Sequence, residues 1–218
     1  MKKYKLIESD FKIYNGIKLF RIKALMSFGS IKKGDVGGYI ESEQNLGMYC
    51  NAWVSGDAKV FDNARVFDGA NVYDNARVFG NAKVFNDAKV FGSASVYNNA
   101  KVYDAARVFG DTRICDNANV YGSAWVYGNA WVCGDTLVYG NANVYGNAWV
   151  CSDKITTILK TIMCFRHCIS ITDNFVFCGC MKWKHNEIKG LKYDCVKEHI
   201  SEKQFKIIKK VVLELIKY

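Results

Sequence analysis

Residues 52–151 repeat one six-residue unit seventeen times, and this constrains the fold more than anything else in the chain. A typical copy is Ala82-Lys83-Val84-Phe85-Asn86-Asp87. Valine recurs every six residues from Val54 to Val150, broken only by Ile114. Alanine stands two residues earlier throughout, except at Thr112 and Thr136. An aromatic residue follows the valine, replaced by cysteine in later copies, and two positions drawn almost wholly from Gly, Asn, Asp and Ser close the unit. Alanine and valine two apart share one face of an extended segment, while the residues between and after them face the other way. The Gly/Asn/Asp pair tolerates positive φ and turns a corner. Period six would scatter the valines around a helix, so a helix is excluded. Identical units make identical bends, and the chain is expected to wind as a solenoid stabilised by neighbour-on-neighbour stacking.

The segment Val78-Phe79-Gly80-Asn81-Ala82-Lys83 resembles the hexapeptide repeat of left-handed parallel β-helices. That resemblance implies three units per triangular coil, eighteen residues in all. Two further segments, Asn15 to Leu25 and Gly34-Asp35-Val36-Gly37-Gly38-Tyr39-Ile40-Glu41, resemble the opening of a family of bacterial and prophage hexapeptide-repeat proteins. Many members carry an acyltransferase label. Phe175 to Cys180 resembles that family's C-terminal cap. The fold class expected is therefore mainly β, a left-handed parallel β-helix with an N-terminal hairpin cap and a C-terminal α+β cap. Its parts are 1–51, 52–153 and 154–218.

Within 1–51, alternation and Asn15-Gly16 predict a β-hairpin. Val36 is in phase with Val54, which predicts an irregular first coil over 36–51. The Gly-rich stretch around Gly34 lacks the Gly-Lys-Ser/Thr ending of a phosphate loop. Past the repeat, strands are expected at Ile155–Ile162, Ile169–Ile171 and Phe175–Cys180, and a helix over Asn186–His199. A last helix is capped by Ser201 and Gln204, with Phe205, Ile208, Val212 and Leu215 as its buried stripe.

The formal charge of +9 is unevenly placed. Residues 1–51 carry nine basic and five acidic groups, 52–151 eight and nine, and 152–218 thirteen and seven. The rod is nearly neutral and its ends are basic, which argues against mimicry of DNA and allows contact of the ends with nucleic acid or an acidic protein. There is no proline, as suits uninterrupted ladders. No run reaches the roughly 18 uncharged apolar residues of a membrane span, and the basic start is followed by no apolar run. A cytoplasmic protein with no membrane partner is expected. Its nine cysteines are expected as reduced thiols.

Stacking at eighteen residues predicts the outer columns. Arg65, Lys83 and Lys101 form one; Lys59, Arg77, Ser95 and Arg113 form another, continued by Trp131 and Trp149. Cys115, Cys133 and Cys151 continue the column of Phe61, Phe79 and Tyr97. Exposed Trp125, Trp131 and Trp149 on the last third of the rod are the sharpest binding signal. With Arg65, Lys83, Lys101, Lys59, Arg77 and Arg113 they make up the expected partner surface.

The resemblance to acyltransferase-labelled proteins implies a histidine as general base, yet residues 52–151 hold no histidine. His167 is the substitute the sequence offers. Cys164, His167, Cys168, Cys178 and Cys180, with Cys195 and His199, carry soft donors, but in spacings unlike zinc knuckles. No catalytic residue, metal site or cofactor is therefore assigned. The expectation is a non-enzymatic phage or prophage binding protein that forms a dimer or trimer. It would engage a host protein or ribonucleoprotein, such as an antiviral defence effector of the CRISPR nuclease type. A hexapeptide-repeat acyltransferase, or nucleic-acid binding through the basic ends, are the alternatives.

Overall fold

The computed structural model describes residues 2–151, 154–155, 160–164, 167–172, 174–178, 181–197 and 200–216. The protein is mainly β, a three-sided parallel β-solenoid of about six coils. Two-residue strands centred on each valine stack at an offset of eighteen, as in Lys83↔Lys101 and Val84↔Val102. The coils are joined by backbone bonds such as Lys83 N–H to Ala100 O at 3.0 Å and Phe85 N–H to Val102 O at 3.1 Å. The first face runs from Lys59–Val60 to Trp149–Cys151, the second from Arg65–Val66 to Lys154–Ile155, and the third from Trp53–Val54 to Asn143–Val144.

The repeat dictates this geometry position by position. Alanines and valines of successive coils fill one continuous core and are fully buried. Each buried valine contributes on the order of 1.5–3 kcal/mol, so the core outweighs any single outer contact. Thr112 and Thr136 enter the alanine column because each hydroxyl donates to the carbonyl three residues back, Phe109 O and Cys133 O. The first residue of every corner pair from Gly56 to Gly146 takes positive φ, from 56° at Asp62 to 77° at Gly128. Only Gly, Asn and Asp occupy it, as the left-handed region requires. Side-chain amides then ladder along one edge: Asn63 donates to Asn81, Asn81 to Asn99, Asn99 to Asn117, and Asn117 to Asp135.

At the N-terminus, β1 (Tyr4–Tyr14) and β2 (Ile17–Ala24) form the expected hairpin. Asn15 and Gly16 both have positive φ, the signature of a type I′ turn. β3 (Val36–Ile40) pairs antiparallel with β2 and parallel with Lys59–Val60, so the hairpin extends the first face into a nine-stranded sheet. The in-phase reading of Val36 is corrected here. Val36 is 50% exposed, and Ile40 lies on Val60 and Leu46 on Val66, an offset of twenty. Two extra residues within 47–51 shift the frame. Gly37 and Gly38 let β3 approach the first coil. A Cβ on Gly37 would come within 2.5 Å of Ile22 Cγ1, and one on Gly38 within 2.8 Å of Ala58 O. Buried Lys3 closes this end, donating from Nζ to Cys50 O and Ala52 O, each at 2.7 Å.

At the other end Ile155 sits on Val138, an offset of seventeen. The strand expected over Ile155–Ile162 is two separate strands, Lys154–Ile155 and Lys160–Cys164, with 156–159 outside the described residues. Lys160–Cys164, His167–Ile171, Phe175–Cys178 and Met181–Lys184 form an antiparallel sheet. Phe177 joins the solenoid core. Of the helix expected over Asn186–His199, residues 198–199 lie outside the described residues, and the rest is replaced by one turn, His185–Ile188, and a 3-10 turn, Tyr193–Cys195. Gly190 interrupts it, and Val196 rather than Cys195 is buried. The helix Glu202–Leu215 forms behind the Ser201/Gln204 capping box, with Phe205 and Val212 buried and Ile208 and Leu215 half-buried.

Candidate functional site

Backbone register brings the sequence-predicted side chains into columns. On the first face Lys59, Arg77, Ser95, Arg113, Trp131 and Trp149 follow one another. On the second, Arg65, Lys83 and Lys101 do so, all exposed, and Asn119 and Leu137 continue them.

The first-face column does not present a uniform free surface. Lys59 Nζ lies 5.5 Å from the Tyr14 ring centre, and Arg77 donates to the Tyr14 hydroxyl at 3.0 Å. Both are half-buried under the hairpin. Burial, with repulsion from Lys12 next, lowers the Lys59 pKa. Lys12 is itself paired with Asp57 at 2.8 Å. Ser95 is buried. Lys59 and Arg77 position the N-terminal cap, which sequence spacing could not reveal because the hairpin's resting place is a tertiary fact.

Beyond Ser95 the surface opens. Arg113 is exposed, its guanidinium 5.6 Å from the Trp131 ring. Trp131 and Trp149 stack with centroids 5.3 Å apart and planes at 8°. They are half-buried rather than exposed, a correction with a physical cause. Each indole turns its N–H to a thiol one coil back, Trp131 to Cys115 Sγ at 3.2 Å and Trp149 to Cys133 Sγ at 3.4 Å.

Trp125, on the third face, is 40% exposed. Arg107 lies 5.0 Å from its ring and Phe109 meets it edge-on at 6.2 Å. Asn71, Lys89, Arg107 and Trp125 form the third column. Lys89 and Arg107 were missed in the sequence, although each lies a multiple of eighteen before Trp125. Between Trp125 and Trp131 the corner carries stacked Phe109, Tyr127 and Tyr145. Around this corner the last coils thus show Arg107 over Trp125, a tyrosine stack, and Arg113 over Trp131.

Corner aspartates keep their charge off these faces. Asp62, Asp74, Asp104 and Asp116 accept from the backbone N–H of Gly80, Gly92, Gly122 and Gly134, one coil on, at 2.9–3.1 Å.

Beside the tryptophans, Cys115 and Cys133 are buried and Cys151 half-buried. Hydrogen bonding from Cys133, joined by Trp131 and Tyr97, outweighs burial and holds the Cys115 thiol down at about 6. The same bond, with burial, pushes Cys133 upward.

Of the C-terminal donors, Cys178 is buried and Cys195 exposed. The side chains of Cys164, His167, Cys168, Cys180 and His199 lie outside the described residues. Among the described residues no three His, Cys, Asp or Glu side chains gather around one point, and no helix is long and apolar enough to cross a membrane.

No curated protein matches the chain. Over residues 112–128, which span Arg113, Cys115, Trp125 and the Tyr127 corner, the chain is similar to the family described as YdcK Beta solenoid repeat.

Proposed function

We propose that this chain is a non-enzymatic binding protein whose rod engages a macromolecule through the cationic and aromatic corner of its last coils. One observation carries the reading: Arg107 over Trp125 and Arg113 over Trp131 flank the Tyr127–Tyr145 stack on a frame fixed by backbone ladders. Trp, Tyr and Arg dominate binding hot spots, and a rigid frame loses little entropy when they are covered. The finer reading rests on the prophage-family resemblance. A small rod with no histidine in its repeat acts by occupying a surface, and a host defence effector such as a CRISPR nuclease is the proposed target. Self-association into a dimer or trimer is proposed along the same rod.

A second reading, single-stranded nucleic acid, is favoured by the same Arg–indole pairs, since stacking platforms beside cations bind bases.

The test compares tagged wild type with an Arg107→Ala/Trp125→Ala/Arg113→Ala variant, each purified from a bacterial host with and without nuclease. A stoichiometric protein that survives nuclease and is absent from the variant supports the first reading. Nuclease-sensitive binding that weakens steeply with salt supports the second. Equal recovery by both chains overturns the assignment of this corner.

A further inference from the structure

Cys115, Cys133 and Cys151 hold one position in three successive coils. Cys133 and Cys151 are direct ladder partners, and Cys115 N–H donates to Val132 O at 3.0 Å, which fixes it one rung earlier. Cys133 Sγ donates to Val150 O at 3.5 Å, on the strand that carries Cys151. All three are free thiols. In earlier coils the same position carries Phe61, Phe79 and Tyr97, whose rings stack at 5.1 and 5.0 Å. The thiols interrupt this ring ladder in the coils where Trp131 and Trp149 turn their N–H groups inward.

Neighbouring strands stand about 4.8 Å apart. A disulfide needs Cβ atoms about 3.8 Å apart, and the ladder bonds on both sides resist that approach. A two-coordinate ion needs no such movement. With metal–sulfur bonds near the roughly 2.3 Å of zinc thiolates, two collinear bonds span about 4.6 Å, close to the coil spacing. Thiolates select soft ions, copper(I) foremost. The three donors follow one ladder, and among the described residues no three such side chains gather around one point, which suits pairwise ligation and not tetrahedral zinc. The one carboxylate next in sequence, Asp116, is turned to Gly134 N–H at the corner.

We propose that this thiol column binds a soft, two-coordinate monovalent cation, copper(I) or silver(I), between the sulfurs of adjacent coils, with Cys133 the shared ligand. Binding is ligand exchange without redox change: one M⁺ and two thiols give a bis-thiolate complex and release up to two protons. The complex carries one negative charge. The Trp131 and Trp149 N–H groups, already directed at Cys115 and Cys133, and Arg113 over Trp131 oppose it. Half-buried Cys151 gives the entry. The site adjoins the proposed partner corner through Arg113 and Trp131, but it does not rest on that reading.

The test titrates the reduced full-length chain, without oxygen, against copper(I) held by bicinchoninate. Wild type is expected to strip at least one ion per chain and to show a thiolate-to-copper charge-transfer band. Cys133→Ser loses that ion, while Cys195→Ser, at an exposed thiol outside the column, keeps it. Should Cys133→Ser fail to fold by circular dichroism, Cys115→Ser/Cys151→Ser leaves Cys133 alone and is expected to lose the ion too. Wild-type stoichiometry in the folded column variants, failure of wild type to compete with bicinchoninate, or zinc(II) capture with the same Cys133 dependence would overturn the proposal.

Discussion

Arg77 donates a hydrogen bond to the hydroxyl of Tyr14 at 3.0 Å across sixty-three positions of sequence, and this bond ties the N-terminal hairpin to the solenoid. The Tyr14 ring also meets Phe61 edge-on at 5.6 Å. Tyr14→Ala is expected to loosen the hairpin by about 2 kcal/mol, from an aromatic pair and a charge-assisted bond together. Amide exchange of β1 and β2 should accelerate while the central coils keep their protection. Tyr14→Phe, which retains the ring, should cost about half as much. Unchanged exchange in Tyr14→Ala would show that the hairpin is held elsewhere.

Asp68 has a φ of 58° at a corner. Asp68→Gly should lie within a few tenths of a kcal/mol of wild type in urea unfolding. Asp68→Val, which forces a branched side chain into the left-handed region, should lose about 1–2 kcal/mol. A similar midpoint for both variants would show that the corner conformation is not what selects the residue.

Threonine is accepted in the alanine column because a carbonyl lies within reach, as Phe109 O does for Thr112. Ala100 N–H already bonds to Tyr97 O at 3.3 Å in the equivalent turn, so Ala100→Thr should cost less than about 1 kcal/mol. Val102 is fully buried among aliphatic side chains. Val102→Thr therefore strands a hydroxyl and should cost about 1–3 kcal/mol. Denaturant midpoints compare the two, and the reverse order would contradict the turn-carbonyl account.

Cys115 carries a thiol lowered to about 6 by its hydrogen bond with Cys133 and then by Trp131 and Tyr97. In the unfolded chain a thiol titrates near about 8.5. The folded state therefore binds fewer protons between these values. The resulting stability is full above about 8.5 and disappears as pH falls through about 6. The part of the thiolate absorbance that persists in the folded protein down to about pH 6 should be lost in Cys115→Ser. Trp131→Phe keeps the ring and removes the donor, and should move the midpoint upward. Titration of wild type only near pH 8.5 would remove the thiolate.

The solenoid is legible in the sequence because its cause is local. Each valine, corner residue and ring recurs at one period, and the eighteen-residue columns follow. What escaped depends on frame or on distant packing. Val36 shares the valine phase, yet Ile40 takes the core position because residues 47–51 are two longer than the repeat allows. The apolar spacing of Ile188, Leu191 and Cys195 imitates a helix, but Gly190 and the buried Val196 turn the chain otherwise. Trp131 and Trp149 could be placed in a column from spacing alone. That their N–H groups face thiols depends on ring orientation, which no spacing encodes.

The two departures from period eighteen, two residues gained within 47–51 and one lost before Lys154, both fall at the ends of the rod. Between them every rung keeps the same backbone frame as its neighbours, so the length of the protein is quantised. Removing or duplicating any eighteen consecutive residues of the middle changes the rod by one spacing of about 4.8 Å and returns every column to alignment. Loss of six or twelve instead rotates one end by a face relative to the other. The distance and the angular bearing between the hairpin and the tryptophan corner are thus set independently, as a count of coils and a remainder.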